Sequence, residues 1–269
     1  MDINKEMALY LIEAKKQDFA LTTFNSYKAS IKAFLKHFEQ KESPSEVSLK
    51  EFINYLDNWP NPNTKYVKIN SLKSFYKLRE INAFDFESFE QPKRIKKMPK
   101  RIPREFLLES INEIDNRKHK ALLSLSFSTG IWLSEILNLE LEDIDFDNRT
   151  ILVRNRDEQK NRNVILSDEV AVNLLHYIKK FKPIRFLFNG QFNIQYDKNS
   201  ALNVVKKCIG KQYNFLTIRN THIYCLIEAG ANNNEILEHL GLYGTESVKR
   251  LNQFKKHTIK DSFKSKLPL

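Results

Sequence analysis

The hydrophobic positions of the first ninety residues recur three and four residues apart, which is the spacing of one buried face of an α-helix. The clearest run extends from Phe24 to Phe38, and shorter runs of the same kind lie before and after it. Ser48 and Thr64 stand directly before two of these runs, where a hydroxyl side chain can accept hydrogen bonds from free backbone amides. The pattern predicts four helices, the last two of which begin at Ser48 and Thr64.

The pattern changes after residue 104. Residues 122–127 are almost all apolar, which is typical of a central buried helix. Two short aliphatic runs, at 150–154 and 163–166, flank a polar segment and predict strands of a small sheet. The sequence therefore predicts a mostly α fold with a small β-sheet (α+β). Helical spacing returns at residues 170–178, 218–229 and 235–240.

A basic, proline-containing segment separates the two parts. Seven of the thirteen residues from Pro92 to Arg104 are basic and three are prolines, so the segment cannot form a continuous helix. We predict two domains joined by a linker. Residues 1–91 form a helical domain, 92–104 the linker, and 105–269 a larger α+β domain.

The charge balance narrows the choice of partner. Lys and Arg number 44 against 33 Asp and Glu, a net charge of +11, and the pI is about 9.4. Such a balance favours a polyanion such as nucleic acid, although a lysine-rich protein without that role would look similar. The two cysteines, Cys208 and Cys225, have no metal-ligand or disulfide-framework spacing. We therefore expect a cytoplasmic protein with no membrane span, no metal and no cofactor.

Several motifs in the second part occur in a characteristic order. The segment 128–139, Ser-Thr-Gly-Ile-Trp-Leu-Ser-Glu-Ile-Leu-Asn-Leu, resembles the first signature of the tyrosine recombinase (phage integrase) family. The strand ending at Ser167 is similar to the strand that follows that signature, and Leu216-Thr217-Ile218-Arg219 stands in place of the H-x-x-R motif. Further matches are residues 143–146, 226–231, 236–241 and 247–254.

The resemblance implies a core-binding helical domain, a catalytic-type domain and duplex DNA as the partner. Active family members attack a DNA phosphate with a tyrosine hydroxyl, while two arginines, one or two histidines and a lysine stabilise the charge that develops. In this sequence the two arginine positions hold Trp132 and Arg219, and the nucleophile position holds Phe254. The first histidine position holds Leu216, and the second holds Leu242 or Tyr243. The lysine position holds Arg156, with Lys160 close by.

Most of these substitutions remove a charged or nucleophilic group that the family's cleavage reaction needs. Trp132 and Leu216 cannot hold a phosphate by charge, and Phe254 has no nucleophilic atom, so we expect no catalytic residues. Arg219 is predicted to retain a phosphate contact. The best hypothesis is a non-cleaving DNA-binding regulator or repressor of a phage or mobile element, in the nucleoid of a bacterial host. A divergent active integrase that uses Lys160, Arg219 and Tyr243 is one alternative, and an accessory partner of an active recombinase is another.

The predicted DNA contacts are cations on the fourth helix, on the linker and in the second domain. The tail from Lys255 to Leu269 is predicted to join protomers of a homo-oligomer. His119, His176 and His239 are expected to be ordinary helix residues. The predicted DNA-binding residues are Lys65, Lys68, Lys73 and Lys77 on the outer face of the helix, Lys93, Arg94, Lys96, Lys97, Lys100 and Arg101 on the linker, and Arg156, Lys160, Arg162 and Arg219.

Overall fold

The computed structural model describes residues 1–86, 91–93, 95, 98–155 and 160–264, with side chains as far as residue 256. The chain forms two compact units, Met1–Lys97 and Met98–Leu269, here called unit 1 and unit 2. The division lies inside the segment predicted as the linker. Arg94, Lys96, Lys97 and Arg156 lie outside the described residues.

Unit 1 is a group of four helices around an aromatic core. Phe34 lies at its centre, with ring centroids of Phe38 and Tyr55 at 5.1 and 5.3 Å and those of Phe52 and Tyr76 at 6.2 and 6.1 Å. Edge-on aromatic pairs of this kind add roughly 0.5–1.5 kcal/mol each beyond the burial of their area. The helices are α1 (Ile3–Lys15), α2 (Leu21–His37), α3 (Leu49–Asp57) and α4 (Pro62–Leu78).

The two predicted helix starts have different outcomes. Ser48 caps α3 as predicted, in a reciprocal arrangement with Glu51. The prediction for Thr64 was wrong, because α4 begins two residues earlier at Pro62 and is capped by Asn61, whose side chain accepts from the amides of Asn63 and Thr64. Proline is favourable in the first turn because its missing N–H has no helical acceptor there.

One lysine of α4 does not share the outer face predicted for it. Lys68 is only 9% exposed, and its ammonium lies 3.7 Å from the centroid of the Trp59 ring. Burial lowers the pKa of Lys68. Lys77 is exposed, whereas Lys73 and Lys65 are half-buried and Lys65 pairs with Asp57 at 2.9 Å. The lysine face of α4 is therefore narrower than the sequence pattern indicated.

Unit 2 combines helices with a three-stranded antiparallel sheet, which confirms the predicted fold class. The strand order is β1-β2-β3, and Ile151 of the central strand pairs with Ile144 and Val164. The strands are β1 (Ile144–Asp145), β2 (Thr150–Val153) and β3 (Arg162–Ile165). The helices are α5 (Arg104–Asn112), α6 (Arg117–Thr129), α7 (Leu133–Asn138), α8 (Asp168–Phe181), α9 (Lys198–Cys208), α10 (Phe215–Glu228), α11 (Asn233–His239) and α12 (Thr245–Lys264).

Helices α6 and α10 form the interior of unit 2. Every residue of α6 from Ala121 to Ser126 is buried, as predicted for the central helix. It ends at Gly130, which has a left-handed φ of 61°. A Cβ atom at Gly130 would collide with the His222 ring of α10, so the close approach of the two helices at this end requires glycine.

The last part of the predicted linker packs along α10. Ile102 is fully buried, and its backbone N–H donates to the Thr221 hydroxyl at 2.8 Å. Asn220 donates to the Lys100 carbonyl at 2.8 Å. Arg101 pairs with Glu228 at 2.6 Å. Residues 100–102 of the predicted linker therefore pack on unit 2, through their backbone groups and the Ile102 side chain.

Neither a membrane-spanning helix nor a metal-binding cluster occurs among the described residues. None of the helices in this part of the chain is long and apolar enough to cross a bilayer. Nor does any group of three or more His, Cys, Asp or Glu side chains there have the arrangement of a metal site.

Candidate functional site around Arg219

Arg219 is buried in the middle of α10, with 2% of its surface exposed. Its guanidinium donates to the carbonyl oxygens of Gly130 and Leu240, the latter at 3.3 Å. Burial lowers the pKa of Arg219 to about 10, partly offset by the nearby Glu135 carboxylate. The side chain therefore connects three segments: α10, the turn after α6, and the end of α11.

Trp132 covers the Arg219 guanidinium. The central carbon of that group lies 4.2 Å from the centroid of the indole ring, a separation at which a cation is attracted to the electron-rich face. Trp132 is fixed at the start of α7, where its backbone N–H donates to Glu135 at 2.7 Å. Only 2% of the Arg219 surface is exposed in this arrangement, and the predicted phosphate contact of Arg219 stays a prediction.

Arg162, predicted as a DNA contact, is taken up by an internal ion pair. Its two terminal nitrogens lie 2.9 and 3.1 Å from the oxygens of Glu135, and its Nε donates to the His239 carbonyl at 3.1 Å. The Arg162 side chain is 8% exposed. A Cβ atom at Gly241 would meet this guanidinium at 2.6 Å, so glycine there makes room for it. In this arrangement the Arg162 donors are used inside the protein, and its predicted DNA contact stays a prediction.

A histidine pair lies beside Arg219. The Nε2 atoms of His222 and His239 are 3.0 Å apart, and His239 Nε2 is also 3.0 Å from the Thr129 carbonyl. Because a carbonyl only accepts, the shared proton belongs to His239, and His222 accepts. Burial and the neighbouring His239 lower the pKa of His222 to about 3. The prediction that His239 is an ordinary helix residue missed this pair.

The nucleophile position is filled by a core residue. Phe254 is 1% exposed, and its ring centroid lies 5.0 Å from that of Tyr224. The Tyr224 hydroxyl donates to the Pro99 carbonyl at 3.3 Å. Tyr243, the tyrosine considered as a substitute, is 54% exposed and precedes α12. Leu242 is half-buried against the core that contains Phe254.

The structure brings most of the predicted family positions together. Trp132 and Arg219 form the wall between two cavities. The larger, about 360 Å³, is also lined by Leu216, which is 40% exposed, and by Lys198. The smaller, about 20 Å³, is closed by Phe254, Leu242, Arg250 and the apolar residues of α10 and α11. The sequence motifs therefore mark one place in unit 2, now lined mainly by apolar groups.

The remaining predicted DNA contacts differ in how exposed they are and in whether they are already paired. Lys93, Lys100 and Lys160 are exposed. Arg101 pairs with Glu228, and its guanidinium lies 4.6 Å from the centroid of the Tyr224 ring, so its predicted DNA contact stays a prediction. Residues 265–269 of the predicted oligomerisation tail lie outside the described part.

Sequence reasoning missed three residues of the site, namely Glu135, His222 and Arg250. Glu135 belongs to the first family signature, so its position was visible but its pairing with Arg162 was not. His222 follows Arg219 by three residues on one face of α10, which was a usable signal for a neighbouring polar group. Arg250 precedes Phe254 by four residues on α12 and reaches the same small cavity.

A helical unit followed by an α+β unit with a three-stranded antiparallel sheet, and a buried arginine on α10, define a tyrosine recombinase fold. The XerH site-specific recombinase structure matches it with a TM-score of 0.75 and 16% identity over 96% of this chain and 83% of that one. The phage integrase family model matches residues 104–257. The chain belongs to the phage integrase family.

Two relatives match along most of their length. Tyrosine recombinase XerA of Pyrococcus horikoshii is 26% identical over 249 residues, which cover 89% of this chain and 85% of the relative. A tyrosine recombinase of Pseudothermotoga lettingae is 27% identical over 239 residues, covering 81% and 82%. The similarity therefore extends over both units.

Proposed function

We propose that the protein binds duplex DNA without cutting it and acts as a regulator, such as a repressor, of a phage or mobile element. The observation that carries the proposal is the burial of Phe254 at the nucleophile position. Phenylalanine has no atom that can form a bond to phosphorus, so the covalent route of the family is closed at this position.

The surroundings of Phe254 support the same conclusion. Trp132 lies where the family has an arginine, and it covers the one arginine that remains, Arg219. Leu216 replaces a histidine and has no hydrogen-bonding group. Each lost charge-stabilising donor raises a phosphoryl-transfer barrier by about 3 kcal/mol, so even a displaced nucleophile such as Tyr243 would act in a site with little charge stabilisation.

DNA binding is supported by family membership and by surface charge. The XerH structure is a complex with its difH substrate, and the present chain has a net charge of +11. Among the predicted DNA contacts in the described part of the chain, Lys77, Lys93, Lys100 and Lys160 keep exposed side chains. These lysines fit electrostatic contact with a phosphate backbone, which needs charge but no fixed geometry.

Footprinting on genomic DNA of the source organism tests the binding half of the proposal. We expect a protected site and an affinity that falls steeply with salt. Changing Lys93, Arg94, Lys96 and Lys97 together to alanine should weaken binding to all sequences, and each lost phosphate contact should reduce the log–log salt slope by ~0.9. An unchanged slope would exclude this segment from the interface, and the absence of any duplex binding would remove the proposal.

The non-cleaving half is tested on the protected fragment with a nick placed beside the expected cleavage position, so that a covalent intermediate accumulates. We expect no denaturant-resistant protein–DNA band with the wild-type protein. A band that disappears in Tyr243→Phe would instead establish the divergent integrase.

A further inference from the structure

Three arginines, Arg162, Arg219 and Arg250, lie close enough together for the charges of the other two to act on Arg219. Two of the three are occupied inside the protein. Arg219 is 2% exposed and donates to two carbonyls. Arg162 is held by both oxygens of Glu135. A phosphate that approached either guanidinium would have to displace the partners that it already has, at the cost of leaving buried groups unpaired.

Arg250 is different from both. It lies on α12, one helical turn before Phe254, and lines the small cavity together with Trp132, Arg219 and Phe254. Its side chain is exposed, and none of the ion pairs of the described residues includes it. It is also close enough to Arg219 for its charge to help lower the pKa of that residue. A free guanidinium is therefore held at the mouth of the site by α12.

We infer that Arg250 contacts a single backbone phosphate of the bound duplex and supplies the positive charge that the family has at the position of Trp132. This inference rests on the proposed function. A guanidinium presents a planar fork of donors that matches the oxygens of a phosphodiester. Arg250 can use this fork without breaking an existing ion pair.

The position of Arg250 would also allow the protein to bind a DNA phosphate without bringing it to the nucleophile position. The contact is made at the exposed surface of α12, whereas Arg219 and Phe254 lie beneath Trp132 and the apolar lining of the cavity. A phosphate held by Arg250 is bound at the rim and does not have to enter the buried part of the site.

The test compares Arg250→Ala with Lys249→Ala. Lys249 is the adjacent residue, is also exposed, and loses the same charge when changed. Because a hydrogen bond to a charged group contributes on the order of 1.5–3 kcal/mol, Arg250→Ala should weaken duplex binding roughly tenfold or more and reduce the salt slope by ~0.9. Lys249→Ala should have a much smaller effect. Thermal melts of both variants should coincide with the wild type, because both side chains are at the surface.

A scan with neutral methylphosphonate linkages locates the contact. One linkage should weaken the wild type as much as Arg250→Ala does, and that linkage should cause no further loss in the variant. Equal effects of Arg250→Ala and Lys249→Ala, or additive losses at every linkage, would overturn the inference while leaving the proposed function in place. A wild type that binds no duplex would overturn both.

Discussion

Each unit contains one tryptophan that is covered by a cation, and the two pairs behave differently. In unit 1 the Lys68 ammonium lies 3.7 Å from the Trp59 ring, and in unit 2 the Arg219 guanidinium lies 4.2 Å from the Trp132 ring. Both cations are buried. Arg219 uses its remaining donors to hold Gly130 and Leu240, whereas the contacts of the Lys68 ammonium with described residues are with the Tyr55 and Trp59 rings.

From this comparison we expect a buried cation to stabilise a fold when its donors join separate segments of the chain. A guanidinium keeps its charge and offers several directed donors, so Arg219 can face an indole and two carbonyls at once. An ammonium in an apolar setting loses hydration without such compensation, which is why the pKa of Lys68 is lowered. The arginine pair is therefore expected to be structural, and the lysine pair nearly neutral for stability.

The largest expected effect is that of Arg219→Ala. The change leaves the carbonyls of Gly130 and Leu240 without their donor and uncovers Trp132, so we expect unit 2 to lose about 3 kcal/mol of unfolding free energy. Urea melts of a Trp59→Phe background, in which Trp132 is the reporter, measure it. Arg219→Lys keeps the positive charge but lacks the several directed donors of a guanidinium, so its loss of unfolding free energy should be smaller than that of Arg219→Ala. Normal stability combined with weaker DNA binding would show that Arg219 is a phosphate ligand.

The next effect is a pH dependence confined to unit 2. The pKa of His222 is about 3 in the folded protein and about 6.5 in an unfolded chain. Because the folded pKa is depressed, stability is complete above pH 6.5 and is lost as the pH falls below it. Between pH 7 and pH 5 the loss should be about 2 kcal/mol. In His222→Asn, the unfolding free energies measured by melts at pH 7 and pH 5 should differ by much less. An equal pH dependence in that variant would show that other groups cause it.

The smallest effect is expected for Lys68→Met. Methionine keeps the length and packing of the side chain and removes a charge that is costly to bury, so the unfolding free energy of unit 1 should change by less than about 1 kcal/mol. Melts of a Trp132→Phe background, followed through Trp59, measure it. DNA binding should also be unchanged, in contrast to Lys77→Ala, whose side chain is exposed. A loss of stability as large as that of Arg219→Ala would show that the Lys68–Trp59 pair stabilises unit 1 as much as the Arg219–Trp132 pair stabilises unit 2.

Much of the fold could be predicted from the sequence, because the spacing of apolar residues in a helix and the β-branched residues of a hairpin are local features of the chain. The start of α3 at Ser48 follows directly from a capping side chain. Helix α9 was not predicted, although its signal is present: Asp197 caps it, and Ala201, Val204 and Val205 form its buried face. Its short apolar face among polar residues did not distinguish it from a loop.

The site was less predictable, because its contacts join residues far apart in the sequence. The motif order located Trp132, Arg219 and Phe254, and the structure places them around one cavity. The burial of Arg219 and the pairing of Arg162 with Glu135 depend on how α10, β3 and α7 meet. A basic residue in a motif reveals its charge, but only tertiary structure reveals whether that charge is free.

The proposed function predicts that the protein does not cleave DNA, because Trp132, Leu216 and Phe254 together replace groups that the family's reaction needs. It is tested most directly by giving Phe254→Tyr the nicked suicide substrate. The restored hydroxyl would lie beside a covered arginine and without the histidine, so we predict no covalent protein–DNA band, with duplex binding retained. A denaturant-resistant band that forms with Phe254→Tyr would contradict the account, because it would show that the nucleophile alone was missing.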